Sequence, residues 1–510
     1  MPQRVLRPTR SPAARRDDQV TFKTQNQSLS EARSPMANPY LTTRLSALRE
    51  AGGVAPAHLE RLGRYLEEEP EREVFRMNPY RYSERTGTPA RAAIDLFVRA
   101  THAGVLEFTW GVLCKGCGGF LTTASAVRAL EAGRDCRLCG DPVNASVDDN
   151  VEVAFTVAPA ARSIRYHRPE LLDPDRDFSE LYYSGSLSGD ANARELIDSY
   201  RLRGFRLAPG ESFEHAVSVT PGWYQVVCPI THGSGWIEVR EHHEGHLAEF
   251  SILDGPIVPD QQRLAPGDAT LRVTNRLSTH AIASLLKTSG KGVPRHERLR
   301  VLFQRYLTGK ELVTMQAFRD LFRAEALPSE TGLAFKNVSV LFTDLKDSTA
   351  MYSRVGDVRA FALVRRHFVV LREAVAARGG AVVKTIGDAV MAVFPEAAPA
   401  FDAAVAMHRA VRGVGDEAIL KIGLHCGPCI AVEQNDRLDY FGQTVNVAAR
   451  VQNAAEADEI VVTRSSTTAE VEKIAREAGL PCAREAVELK GIDGAVPVLR
   501  FAAPEGGWAP

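Results

Sequence analysis

The chain has 510 residues, 45% hydrophobic and 25% charged, with 62 Lys and Arg against 63 Asp and Glu for a formal net charge of −1. That length suits two to four domains, each burying its own core. The charge balance excludes wholesale electrostatic attraction to nucleic acid or an anionic bilayer, and neither a run of about 18 apolar residues nor an apolar leader is present, so the expected location is cytoplasmic with no membrane partner.

Residues 1–36 carry Arg4, Arg7, Arg10, Arg15 and Arg16 among small and polar residues and are expected to form a disordered tail. Residues 37–113 read as a helical, helix-turn-helix-like unit: Leu59, Leu62 and Leu66 share one face, and Ala93, Leu96, Phe97 and Ala100 share another. No basic cluster decorates its second helix, which argues against DNA as a partner. Residues 114–150 contain Cys114-Lys-Gly-Cys117 and, eighteen residues on, Cys136-Arg-Leu-Cys139. Two thiolate pairs on turn-forming sequence supply the four soft ligands of a tetrahedral zinc site, and four thiolates leave no open position, so one structural Zn²⁺ per chain is expected.

Residues 151–290 are rich in β-branched residues, as in Val151 to Val157 and Thr270 to Val273, and predict a β-rich, sandwich-like domain. Within it Glu241-His242-His243-Glu244-Gly-His246 misses the zinc-protease spacing, because position 247 is leucine, and reads as a polar turn. Residues 291–330 predict a helical linker, from about Arg295 to Ala326, with Leu299, Leu302, Phe303, Tyr306 and Leu307 at helical spacing and Pro328-Ser-Glu closing it. Such a helix is placed to transmit a signal onward.

Residues 331–505 run strand, long helix, hairpin, helix, hairpin, helix, the split βαβ arrangement of a ferredoxin-like core, which makes the whole chain α+β. Val358, Phe361, Val364, Phe368, Leu371 and Val375 form one apolar stripe of the long helix. The first strand ends in Phe342-Thr-Asp344-Leu345, and the hairpin Lys384-Thr-Ile-Gly387-Asp388 places a second carboxylate after its turn glycine. Two convergent carboxylates suit oxygen-seeking Mg²⁺ bound together with substrate phosphates, although each Asp alone also fits a strand end or a turn. Further on, Asp439-Tyr-Phe441-Gly442-Gln-Thr-Val-Asn446-Val-Ala-Ala-Arg450 sets an amide and a guanidinium four apart on one helix face, where they can meet a ribose and a phosphate.

With these polar positions in order, residues 337–501 resemble the class III adenylate and guanylate cyclases. The resemblance implies that Asp344 and Asp388 hold two Mg²⁺ (or Mn²⁺) per active site, that Asn446 orients the ribose, and that Arg450 neutralises charge on the α-phosphoryl group in the transition state. It places Lys384 and Asp439 where the base is read, a donor and an acceptor that suit adenine, and Lys490 where the family has a triphosphate-binding lysine. It implies a homodimer, because the metal-binding aspartates and the remaining residues of one site come from different chains. The expected function is therefore an adenylate cyclase converting ATP to 3′,5′-cyclic AMP and pyrophosphate, regulated through its N-terminal region by an unknown ligand or protein. The alternatives are a guanylate cyclase, disfavoured by Lys384 and Asp439, and a non-catalytic nucleotide-binding adaptor, disfavoured by Arg450. Residues 37–325 resemble an uncharacterised domain that precedes cyclase domains in some bacterial proteins.

Two departures stand out. Asp347 occupies a position where the family often has glycine, and a carboxylate there is expected to repel the triphosphate unless it points away or meets a metal. His425-Cys426-Gly-Pro-Cys429 has thioredoxin-type spacing, yet its setting in a hairpin predicts two buried small residues.

Overall fold

The structure, a computed structural model, describes residues 38–508 apart from 127–133, 137–141, 144–147, 149, 188–198, 289, 291–301, 323–332, 416–417, 435–436 and 505–506. The expected tail, Cys139 and the Pro328-Ser-Glu linker lie outside the described residues.

Four helices open the described chain: α1 (Pro39–Ala51), α2 (Pro56–Glu68), α3 (Pro79–Thr86) and α4 (Ala90–His102). Asparagines start two of them, since Asn38 Oδ1 accepts from Tyr40 N at 2.9 Å and Asn78 Oδ1 from Tyr80 N at 2.8 Å, each just before a proline whose fixed φ suits the first turn. The expected all-helical unit to residue 113 needs correction: Leu106–Leu113 is a strand, β1, paired with β2 (Phe120–Ala124) and later with β5 (Val151–Val157) in the order β2-β1-β5. β-branched and aromatic residues such as Phe108, Trp110 and Val112 favour that state over helix. Between these strands the short hairpin β3 (Arg134–Asp135) and β4 (Pro142–Val143) precedes Cys136 and follows it, respectively.

The helix α5 (Phe178–Tyr182) leads towards a run of nine strands, β6 to β14, from Arg201–Leu207 to Ala281–Thr288. They form a five-stranded and a four-stranded sheet around one apolar core that includes Phe205, Val226, Phe250, Leu271 and Leu285. The sandwich is thus present but starts some fifty residues later than expected, because β5 joins the preceding small sheet. The His242–His243 segment is the polar turn that was expected.

Residues 302–322 correct the linker expectation. Leu302 to Thr308 is extended, with isolated bridges Leu187↔Phe303 and Glu152↔Thr308, and only two short helices follow, α6 (Gly309–Val313) and α7 (Gln316–Leu321). Thr308 and Glu311 form a reciprocal capping box that starts α6 at that point, which is the signal a purely apolar count overlooks.

The C-terminal part is built on β15 (Leu333–Leu345). Helices α8 (Ser348–Val355) and α9 (Asp357–Ala377) lead to the hairpin β16 (Ala381–Ile386) and β17 (Ala389–Phe394), and α10 (Ala397–Arg412) leads to β18 (Leu420–Gln434). The order β16-β17-β15-β18, every pair antiparallel, is the expected split βαβ core. After it come β19 (Arg437–Phe441), α11 (Gln443–Asn453), β20 (Glu459–Thr463), α12 (Ala469–Glu477), β21 (Cys482–Glu488) and β22 (Ala495–Phe501). Alternation along β15 separates two faces. Leu341 and Leu345 face a core shared with α9, α10 and α12, while Val338, Val340 and Phe342 join Val383, Met391, Tyr440 and Ala448 in a core continuous with α4, β1, β5 and α7. The N-terminal region therefore packs directly on one face of the C-terminal sheet.

Candidate active site

The register of the central strands brings the two candidate metal-binding carboxylates together. Thr343 lies opposite Val390, and Val390 N donates to Thr343 Oγ1 at 3.2 Å, which ties the Gly387-Asp388 turn to the end of β15. Gly387 sits at φ +63°, a conformation the turn requires and glycine tolerates. Burial and the neighbouring Asp388 charge push the Asp344 carboxyl up, with Lys421 Nζ, 3.9 Å from Asp344 Oδ2, opposing them. Asp388 Oδ2 is buried and has no hydrogen-bond partner among the described residues. An orphaned carboxylate oxygen beside a second carboxylate is what a divalent cation would satisfy, so the donor set fits Mg²⁺ or Mn²⁺.

Asp347 adopts φ 53°, ψ 34° immediately before α8 and is exposed. It thereby supplies the left-handed backbone for which a glycine would otherwise be used, and aspartate is among the few residues that tolerate it.

Lys384 on β16 and Asp439 on β19 meet as an ion pair, Nζ to Oδ2 at 2.6 Å. The Asp439 side chain is only 10% exposed and that of Lys384 41%, so one partner is fixed and the other reaches solvent. Asp439 Oδ1 also accepts from Tyr440 N at 2.8 Å. Ile386 and Phe441 leave large apolar side chains exposed on the strands that carry this pair, as does Ile430 opposite Phe441 on β18.

α11 carries Asn446, which is exposed, and Arg450, which is half-buried and has no carboxylate partner among the described residues. Val447 and Val451 pack against Leu489 and Val498, which sets the Lys490-Gly491 turn beside the helix: a Cβ at Gly491 would lie 3.2 Å from an Arg450 guanidinium nitrogen. Lys490 is exposed on that turn. The helix lies close on β18 because two glycines permit it, since a Cβ at Gly423 would fall 2.1 Å from Gln452 N and one at Gly427 2.6 Å from Thr444 Oγ1. Their spacing of four, opposite a helix, is the sequence signal for such a close approach.

Cys114, Cys117 and Cys136 also converge, with their Sγ atoms within 4.8 Å of one another and Cys117 to Cys136 at 3.6 Å. Four thiolates at about 2.3 Å from Zn²⁺ stand about 3.8 Å apart along each tetrahedral edge, so the described triad has the dimensions of a metal site. Phe178, Tyr182 and Leu286 enclose it. Removing metal with a strong chelator is expected to release about one Zn²⁺ per chain and lower Tm by roughly 5–10 °C, because a site of this kind contributes directly to folding. A metal-free protein with unchanged Tm would refute that expectation.

Cys426 and Cys429 sit three apart on β18 and join cores on opposite faces of the sheet, which prevents a bond between them. Cys426 is partly buried with its Sγ 3.0 Å from Ser339 Oγ, while Cys429 is buried, which pushes its thiol up to about 12.

Comparison with known proteins divides the chain in two. Residues 40–320 match a family of unknown function (DUF5939), and residues 332–497 match the adenylate and guanylate cyclase catalytic domain. Adenylate cyclase 2 of Rhizobium meliloti is 30% identical over 128 residues, covering 22% of this chain and 35% of that protein. A receptor-type adenylate cyclase of Trypanosoma congolense is 25% identical over 280 residues, covering 46% and 35%. The chain thus spans about a third of each of these relatives. Among solved structures, an adenylyl cyclase from P. aeruginosa (22% identity, TM-score 0.28) is matched over 33% of this chain and 94% of its own. The guanylate cyclase domain of a Catenaria anguillulae protein in complex with GTP (22%, TM-score 0.29) is matched over 34% and 98%. No helix among the described residues is long and apolar enough to cross a membrane.

Proposed function

The chain belongs to the DUF5939 family over residues 40–320 and carries an adenylate and guanylate cyclase catalytic domain over residues 332–497, and on that premise we propose that it converts ATP to 3′,5′-cyclic AMP and pyrophosphate at sites shared between two copies. The observation that carries the choice of ATP is the Lys384–Asp439 pair, a donor and an acceptor held 2.6 Å apart and matched to adenine's ring nitrogen and exocyclic amine.

Asp344 and Asp388 would hold two divalent cations, which supply charge neutralisation along the triphosphate and make the ribose 3′-hydroxyl a better nucleophile. The O3′–Pα bond forms as the bond from Pα to the pyrophosphate oxygen breaks, and the hydroxyl proton passes to solvent water. Asn446 orients the ribose for that in-line attack. Arg450 has a guanidinium free of internal neutralisation and meets the charge that develops on the α-phosphoryl oxygens. Lys490, on the turn beside Arg450, draws the triphosphate to the same end of α11. The Cys114, Cys117, Cys136 and Cys139 set would hold a structural Zn²⁺ that fixes the fold of the N-terminal region. That region would act as the regulatory part, binding a ligand or protein of its own.

Sharing of the site between copies is supported by the exposed Ile386, Ile430 and Phe441 around Lys384 and Asp439, an apolar rim suited to a second chain. Mixing Asp388→Ala chains with Arg450→Ala chains tests it. Each heterodimer then has one intact site and one doubly damaged site, so random pairing should restore about a quarter of wild-type activity. No recovery in a mixture whose exchange of subunits is verified would contradict a shared site. The reaction itself is tested by cyclic AMP formation from ATP and its loss in Asp388→Ala.

A further inference from the structure

The short helix α7 sits between the N-terminal region and the two strands that carry the base-reading pair. On one side Phe318 packs 6.0 Å from Phe108 and 6.2 Å from Trp110, centroid to centroid, which anchors the helix to β1. On the other side its polar residues reach the backbone of the catalytic sheet. Gln316 Oε1 accepts from Val382 N at 2.8 Å, two residues before Lys384 on the edge strand β16. The Gln316 amide is held in that sense because its Nε2 donates to Asp320 Oδ1 at 3.0 Å, and Asp320 is in turn paired with Arg372 of α9. Arg319 donates to Leu438 O, one residue before Asp439 on β19, and stacks its guanidinium 5.7 Å from the Tyr440 ring centre. Tyr440 closes the set by donating its hydroxyl to Val313 O at 3.4 Å, at the end of α6.

One six-residue helix therefore grips both strands immediately ahead of Lys384 and Asp439. The register of β16 against β17 shifts between Val382 and Lys384, and a bulge of this kind re-aims the side chain that follows. The Val382 N–H, on the outer edge of the sheet, is the group that a ladder neighbour would otherwise fix. We propose that Gln316 and Arg319 are positioning residues that set the spacing of Lys384 and Asp439, so that movement of the N-terminal region against α7 changes which purine the site accepts. This rests on Lys384 and Asp439 reading the base.

The test uses full-length Gln316→Ala and Arg319→Ala, with Arg319→Lys as a conservative partner and Asp439→Ala as the control for base reading. The quantity read is the ratio of kcat/KM for ATP to that for GTP, or of the two Kd values where turnover is too slow to follow; a ratio is insensitive to the fraction of protein that folds. Loss of one such hydrogen bond is expected to lower the ratio about fivefold, more in the double variant, with recovery in Arg319→Lys, which keeps a donor for Leu438 O. Activities that fall equally with both nucleotides, leaving the ratio unchanged, would overturn the proposal while Asp439→Ala still lowers it. A ratio untouched by Asp439→Ala would overturn the base reading and this inference with it.

Discussion

Arg450→Ala is expected to lower kcat roughly 10²- to 10³-fold while KM for the nucleotide changes little, the signature of an interaction made chiefly in the transition state. The structure gives the reason. Arg450 is half-buried on a helix held against β18 by the small residues Gly423 and Gly427, beside the Lys490-Gly491 turn, and no carboxylate is paired with it among the described residues. Its charge is preorganised and unspent. Arg450→Lys keeps the charge but not the planar fork, so only partial recovery is expected. A large rise in KM with kcat preserved would instead make Arg450 a ground-state phosphate binder.

Asp344→Asn should act in opposite directions on activity and stability. Activity should fall by about 10³-fold or more, since cation-based charge stabilisation contributes several kcal/mol to such a barrier. Stability without divalent cations should rise. The Asp344 carboxyl is pushed up by burial and by Asp388, so the folded state holds its proton more tightly than the unfolded state does. Folding stability therefore declines as pH rises from the ordinary aspartate range through the raised folded value, and the full cost persists at neutral pH. The neutral amide removes that cost. Thermal unfolding at neutral pH with and without Mg²⁺ checks both halves: the variant should melt higher than wild type in chelator and gain less from added cation. A variant that melts lower in chelator would mean that Asp344 is held by favourable partners, and an equal gain from added cation in variant and wild type would mean that no cation is bound through it.

The polar half of the candidate site could be named from the sequence because the chemistry proposed for it resides in residue type and spacing. Asp344 at a strand end, Asp388 after a turn glycine, and Asn446 and Arg450 one helical turn apart need no tertiary information to be recognised, and the structure places Lys384 against Asp439 as a complementary pair. The apolar half was less legible. On α9 the buried face runs through Ala360, Val364, His367, Leu371 and Ala374, whereas Val358 is 87% and Phe361 61% exposed. A count of large apolar residues gives little weight to alanine and histidine, which line the real face, and includes residues that the fold leaves in solvent. The same bias turned Leu302, Phe303, Tyr306 and Leu307 into a helix. Their apolar side chains serve an extended segment, because Phe303 bridges to Leu187 and Thr308 caps the helix that follows. The grip of α7 on β16 and β19 left no trace in the sequence, since its targets are the N–H of Val382 and the C=O of Leu438, groups that every residue but proline presents.

The grip of α7 also gives the junction a physical role that a continuous helix would not have. Core residues of the N-terminal helices and of the C-terminal sheet form one apolar cluster, which reaches the strands bearing Lys384 and Asp439 through Ala381, Val383 and Tyr440.

The most direct test of the account is the nucleotide product of the purified full-length chain, given ATP or GTP with Mg²⁺ or Mn²⁺ beside an Asp388→Ala control. The account predicts cyclic AMP from ATP, much less cyclic GMP from GTP, and no product in the control. Cyclic GMP as the main product, or turnover that survives Asp388→Ala, would contradict it.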